Sequence, residues 1–385
     1  MTPPLTTRPQ KEEPMSTFID IHALHTLPPS NINRDDTGAP KSAIYGGVQR
    51  QRVSSQSWKR AIRKAFPDYI DAENLGERTR RLGERVFAAA KVISPEVNNS
   101  DLQEALIASF KQVKWSLDLV DEEGEEGTAY ARSKYLAFFS KRQIEKLATA
   151  LLNVEPGKPI TKKELNEILD TEQSVDIALF GRMIADTPDF NVDAASQVAH
   201  AISVHESIAE HDYFTAVDDV IDAEGEESGA GMIGTVEFTS STLYRYATVH
   251  LEGLASNLGD ATSAKQATVA FVQAFVTSQP TGKQNTFANQ TLPELVIVQV
   301  RSDRPVSYVN AFEDPIVETL GRRKIAAERL VNEITAVSDA YGFSADRTLV
   351  IGVGELGEVA ASIGEPTTFS GLGEMLAEAL ETSGA

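Results

Sequence analysis

The chain is 385 residues long, 41% hydrophobic and 24% charged, with no cysteine and a formal net charge of −20 at pH 7. That length and apolar fraction predict two or three compact units rather than disorder, and the lack of cysteine excludes disulfides, thiolate catalysis and any cysteine-based zinc or iron-sulfur site. The acidic balance argues against binding nucleic acid through the global field, so any such contact must be local.

Residues 1–16 read as a flexible tail without an apolar leader, with Met15 an alternative start. Apolar runs such as Leu295 to Val298 are far shorter than a membrane span, so a cytoplasmic protein with no membrane partner is expected. "FIDIHAL" alternates Phe18, Ile19, Ile21 and Leu24 with polar or small residues and predicts a strand. The prolines, glycines and asparagines of "HTLPPSNINRDDTGAPKSAIYGG" predict a long loop, functional or disordered. "SSQSWKRAIRKAF" then predicts a helix capped by Ser54 or Ser55 and stopped by Pro67. From Lys41 to Phe66 there are seven cations and no acid.

Between Asp68 and Asp186 the spacing of Leu75, Leu82, Val86 and Phe87, and of Leu102, Leu106, Phe110 and Val113, predicts an α-helical insertion. Thr161 to Glu164 reads as a capping box, and "DEEGEEG" from Asp121 as a solvated loop. After Asn191, "QVAHAISVHES", "DYFTAVDDVID" and "GTVEFTSSTLYRYATVHL" read as strands, the last two forming a long hairpin around the loop Asp222 to Gly231. "SAKQATVAFVQAFVTS" and "DPIVETLGRRKIAAERLVNEITAVSDAY" predict helices, "ELVIVQV" and "TLVIGV" buried strands. Strand-rich regions on both sides of a helical block predict a discontinuous α+β domain.

Four groups of residues could carry chemistry. A helix N-terminus presents free N–H groups, to which Ser54, Ser55, Gln56 and Ser57 add neutral donors, and Lys59 with Arg63 forms a row that can track phosphates. Gly46 and Gly47 would let a ligand approach the backbone. The competing explanation is a solvated helix face that neutralises acids elsewhere. "GVGELG" at Gly352 follows a strand, as a dinucleotide fingerprint does, but lacks the later strand that should carry a ribose-binding acid, so a strand-to-helix turn is expected. His200, His205 and His211 have no zinc-motif spacing; Asp218 and Asp219 suit either a metal or a turn. Met232 and Ile233, with Met183 at the end of "VDIALFGRM", suit a base wedge, a subunit contact or simple packing.

Taken in order, "FIDIHAL", "NRDD", "AIYGG", "RVSSQSWKRAIRKAF", "VDIALFGRM", "YFTAVDD", "GTVEFTSSTLYRYA" and "GKQNTFAN" resemble the CasC family, within the Cas-seven superfamily, from about Met15 onward. That family supplies the repeated backbone subunit of the type I-E CRISPR Cascade complex. The resemblance implies an RRM-like (ferredoxin-like) palm in residues 17–67, 191–215 and 237–385, helical fingers in 68–190 and a β-hairpin thumb in 216–236. It implies copies stacked as a helical filament on a CRISPR RNA, each thumb kinking the guide and displacing a base, with target DNA pairing to the guide in an R-loop.

Carried onto this sequence, the resemblance gives Arg34, Lys41, Ser54, Gln56, Lys59, Arg60 and Arg63 to the guide backbone and Met183, Met232 and Ile233 to the displaced base. Lys141, Arg142, Lys162 and Lys163 become candidates for the target duplex. The implied partners are further copies, the large, small, guide-end-binding and RNA-processing subunits of Cascade and, indirectly, a helicase-nuclease. No catalytic residue, metal or cofactor is implied. Two alternatives remain: a metal-dependent ribonuclease using Asp218, as in related backbone subunits, and a dinucleotide-dependent enzyme.

Overall fold

The computed structural model describes residues 16–122, 128–184, 187–216 and 232–382. The central strand, β1 (Phe18–Ser30), is buried for most of its length. It lies antiparallel between β11 (Met232–His250) and β12 (Leu295–Arg301), with Phe18 opposite His250 on one side and Arg301 on the other. With β2 (Ser42–Tyr45), β3 (Val48–Val53), β9 (Ala201–Ser203), β13 (Arg347–Gly352) and β14 (Glu365–Pro366), the sheet runs β14-β13-β12-β1-β11-β9-β3-β2. β8 (Ser196–Val198) and β10 (Glu210–Ala216) also pair with β11.

The period of two in β1 separates two cores. Ile19, Ile21 and Ala23 join Val296, Val298 and Val300 under α1 (Ser55–Ala65), the helix Ala261–Thr277 and the helix Phe369–Thr382. On the other face Leu24, Tyr244, Leu295 and Ile297 meet Ala326, Ala327 and Leu330 of the helix Arg322–Tyr341. The result is a mixed α+β fold in which both faces of a large sheet are covered. Among the described residues no helix is long and apolar enough to cross a membrane.

Residues between Leu82 and Phe190 form a third core around Phe110, Trp115, Phe139 and Leu147. The helical expectation is only partly met here. Besides α2 (Leu82–Ile93), α3 (Asn99–Gln112), α4 (Lys141–Leu152) and α5 (Lys162–Asp170), there is a hairpin of β5 (Leu117–Asp121) and β6 (Ala129–Ser133), and β4 (Gly76–Thr79) pairs with β7 (Ala137–Ser140). Strands of only four or five residues leave little periodic trace. Thr161 does cap α5 through the Glu164 N–H, but the reciprocal capping box forms at Ser140 and Gln143. α6 (Val175–Phe180) carries the chain back to the main sheet.

Two other expectations change. The predicted loop from His25 to Gly47 contains the second half of β1 and all of β2. Pairing with β11 overrides the local signals, and the register slips between Leu27 and Ser30, where Pro28 and Pro29 have no N–H to donate. The predicted helix from Asp314 starts only at Arg322, after Pro315 and the left-handed Gly321. The hairpin arms pair as expected, from Glu210 opposite Phe238 to Ala216 opposite Met232. Its loop, with Asp218 and Asp219, and most of the N-terminal tail lie outside the described residues.

Candidate nucleic-acid interface

Ser54 caps α1 by accepting from the Ser57 N–H, and its own N–H donates to Asn33 Oδ1 at 2.8 Å. The Asn33 carbonyl also accepts from the Lys41 N–H at 3.0 Å, so one residue fixes the preceding loop to the start of the helix. Trp58 and Ile62 are buried, leaving Gln56, Lys59, Arg60 and Arg63 toward the outside.

Beneath Trp58 lies Arg245 of β11, fully buried between the Trp58 ring (3.8 Å to its centroid) and the Phe275 ring (4.3 Å). Its guanidinium donates to the Phe275 carbonyl at 2.5 Å and lies 3.2 Å from His25 Nδ1. Burial, aided by Arg245, drives the His25 pKa down to about 3, so the ring is neutral. With its Nε2 proton donated to the Thr291 carbonyl, Nδ1 is the acceptor for Arg245. Burial likewise lowers Arg245 to about 9.

The exposed side of α1 forms one wall of a groove of about 670 Å³, opposite Arg78, Leu136, Phe138 and Met183. Lys59 Nζ lies 6.0 Å from the Phe180 ring centroid, and Arg63 Cζ lies 5.6 Å from that of Phe138. Partial burial lowers the pKa of Lys59, and partial burial with neighbouring Arg78 and Arg60 lowers that of Arg63, against the pull of Asp176. Among the described residues none of Lys59, Arg60, Arg63 or Arg78 is ion-paired; the ion pairs lie elsewhere, as in Arg132–Glu122 and Arg347–Glu365. An anion entering the groove therefore meets cations with no competing carboxylate bound to them.

Rigid packing projects Met183 into this groove. Gly181 has φ +80°, and a Cβ there would stand 2.8 Å from the Val192 carbonyl. Arg182 is buried, with donations to the Phe190, Phe138 and Leu169 carbonyls, and burial lowers its pKa to about 10. The next residue, Met183, is 82% exposed. Two residues before Arg78 on β4, the Gly76 N–H donates to the buried Asp176 carboxylate at 2.9 Å.

The structure thus brings together Gln56, Lys59, Arg60, Arg63 and Met183. Ser54 is 6% exposed, its hydroxyl engaged in the helix cap. Arg34 lines a second groove on the other side of Arg60, and Lys41 lies close enough to His200 to depress its pKa, after burial and Arg52. Met232 and Ile233 are 58% and 60% exposed on the hairpin and line neither groove. Arg78 and Leu136 escaped sequence reasoning because they belong to the short strand β4 and the turn before β7 in the segment read as helical. The run "RTRRLGER" was the available signal for Arg78.

Several residues of the basic stretch and of the other groups noted in the sequence serve the fold. Arg50 is buried and donates to the Tyr45, Ser203, Phe312 and Glu313 carbonyls. Gly46 and Gly47 make the two-residue turn between β2 and β3, and Gly46 approaches the Glu313 backbone rather than a ligand. His205 accepts from the Thr242 N–H, His200 contacts Arg52, and His211 lies 3.9 Å from Glu237. Among the described residues no cluster of these types could hold a metal ion. "GVGELG" is a strand-to-helix turn in which Gly352 packs on Gly357. On α4, Lys141 pairs with Glu73 and Arg142 donates to Asn74, each at 3.3 Å.

Residues 19–374 match the family model described as CT1975-like protein. The fold is similar to a solved chain described as "CRISPR RNA-guided surveillance complex, pre-nicking", with 34% identity and a TM-score of 0.80, covering 94% of this chain and 100% of that one. A second, "CRISPR RNA-guided surveillance complex", is 30% identical with a TM-score of 0.60, covering 94% and 99%. No curated protein matches the sequence.

Proposed function

Because the chain belongs to the CT1975-like protein family, we propose that it is the repeated, nonenzymatic backbone subunit of a type I-E CRISPR surveillance complex, holding the guide RNA along α1 for pairing with target DNA. The observation that carries this reading is the groove of Lys59, Arg60, Arg63 and Arg78, none ion-paired among the described residues, in a chain of net charge −20. Contacts of this kind bind phosphates without reading bases, which leaves the guide free to pair.

In this proposal the main sheet is an RRM-like palm, residues 68–190 are the fingers and the β10–β11 hairpin is the thumb. Met232 and Ile233, which lie outside their own chain's groove, meet Met183 of the next copy and flank a displaced base there. Arg34, Lys41, Ser54 and Gln56 complete the guide contacts, with Ser54 acting through the helix N-terminus that it caps. The remaining Cascade subunits bind the ends and flank of the filament, and the assembly is cytoplasmic.

The test is coexpression with a CRISPR repeat-spacer transcript and the neighbouring genes, followed by the 260 to 280 nm absorbance ratio and sequencing of retained RNA. A large particle holding spacer-length guide is expected. A nucleic-acid-free monomer overturns the reading.

A further inference from the structure

Arg50, Arg182 and Arg245 are buried with no carboxylate partner among the described residues. Backbone satisfies the first two: Arg50 donates to the carbonyls of Tyr45, Ser203, Phe312 and Glu313, and Arg182 to those of Phe190, Phe138 and Leu169. Arg245 is served less well. It donates to the Phe275 carbonyl and meets His25 Nδ1, and its Nε–H has no partner among the described residues. Because His25 is neutral, it supplies no counter-charge.

The surroundings of Arg245 add to the cost of burying it. Its guanidinium carbon lies 3.8 Å from the centroid of the Trp58 ring, near the start of α1, which runs Ser55–Ala65. The N-terminus of a helix carries partial positive charge. The first turn of α1 holds no acid, and Lys59, Arg60 and Arg63 stand on its outer side. Like charges therefore face each other across the helix. An uncharged side chain between the Trp58 and Phe275 rings would fill the same space without that repulsion and without desolvating a charge.

What this arrangement stabilises is an anion on the outer side of α1, and salt screens a buried cation less than a surface one. We infer that Arg245 is a positioning residue for the guide phosphates: from beneath α1 it adds to the positive potential of the groove at Gln56, Lys59 and Arg63 without touching the RNA. The inference rests on the RNA-binding reading above. A helix with its side chains is about 10–12 Å across. Over that distance, at an effective dielectric constant of about 20, one charge moves a facing titratable group by about one pKa unit and changes the affinity for an anion about tenfold.

The potential can be read without RNA. In the full chain, Gln56→His puts a titratable reporter on the groove side of α1, and NMR gives its pKa with Arg245 present and in Arg245→Met. Loss of Arg245 is expected to raise that pKa by about one unit. Arg245→Gln is neutral and can still donate to the Phe275 carbonyl; it is expected to give the same rise and takes over if the methionine variant does not fold. A reporter that stays put in a folded variant overturns the inference even if RNA affinity falls, since packing alone then accounts for the fall. Arg245→Met is further expected to weaken binding of a mixed-sequence single-stranded RNA about tenfold. Unchanged RNA affinity, where Lys59→Ala with Arg63→Ala lowers it, overturns the positioning role. A wild-type chain without RNA affinity overturns the RNA-binding reading itself, and the reporter shift tells the two failures apart.

Discussion

The Arg245 guanidinium carbon lies over the Trp58 ring, 3.8 Å from its centroid, one residue on the strand and the other on the helix that lines the groove. Both are buried, so the cation–π contact is desolvated and is expected to couple the pair by about 2 kcal/mol. A double-mutant cycle of Trp58→Leu and Arg245→Met, followed by urea unfolding, measures that term. Additive effects would mean that the two residues merely fill space. Arg245→Lys is expected to behave like a loss, because an ammonium lacks the planar stack.

Lys59 and Arg63 lie on one face of α1, each against an aromatic ring. Replacing both by alanine is expected to weaken RNA binding for every sequence alike and to reduce the salt slope by about 1.4. Filter binding on several unrelated RNAs checks both points. An effect confined to one sequence would mean that these residues read bases.

Gly46 and Gly47 share a turn but not a tolerance. At Gly46, φ is +58° and a Cβ would stand 1.6 Å from the Glu313 carbonyl; at Gly47, φ is +79° and the space is open. Gly46→Ala is therefore expected to cost about 2 kcal/mol or more, through strain and displacement of Glu313. Gly47→Asn should change stability by less than about 1 kcal/mol, since asparagine accepts left-handed backbone. Thermal unfolding of the two variants separates them.

Three histidines are held neutral chiefly by burial: His22 and His25 have pKa values near 3 and His205 near 4, against 6.5 when free. Each favours the folded state above pH 6.5 and loses that contribution as pH falls. Asp20 works in the opposite sense: burial raises it from 3.8 to about 6, so its contribution is present at low pH and lost as pH rises through 6. Near pH 5 unfolding therefore takes up about two protons net, and stability rises steeply from pH 4.5 to 6.5. Urea midpoints across that range test this; a flat profile would contradict the burial of the histidines.

The parts of this fold that were legible in the sequence are those with a local cause. The alternation in Phe18–Leu24 and the cap and basic face of Ser54–Ala65 each follow from neighbouring residues. What was not legible depends on distant pairing. β1 runs on through Pro28 because β11 is there to receive it. Arg50 looks like part of a basic stretch until four carbonyls from three separate segments converge on it. Arg78 lines the groove from β4, whose first residue, Gly76, is bound by Asp176 100 positions further along. Charge in a sequence reports a capacity to bind an anion, and only the fold says which cations are already committed to backbone carbonyls.

The position of β1 has a consequence for synthesis. Its neighbours on both sides come from far along the chain, and the contact between His22 and Tyr244 alone spans 222 positions. As the chain leaves the ribosome, the first strand must wait unpaired until β11 and then β12 emerge, whereas the core around Trp115 can close earlier from residues 82–190. The module of residues 82–190 is thus expected to be made first and the groove along α1 last. A translating chain then has no finished groove with which to capture RNA before nearly all of its sheet has been made.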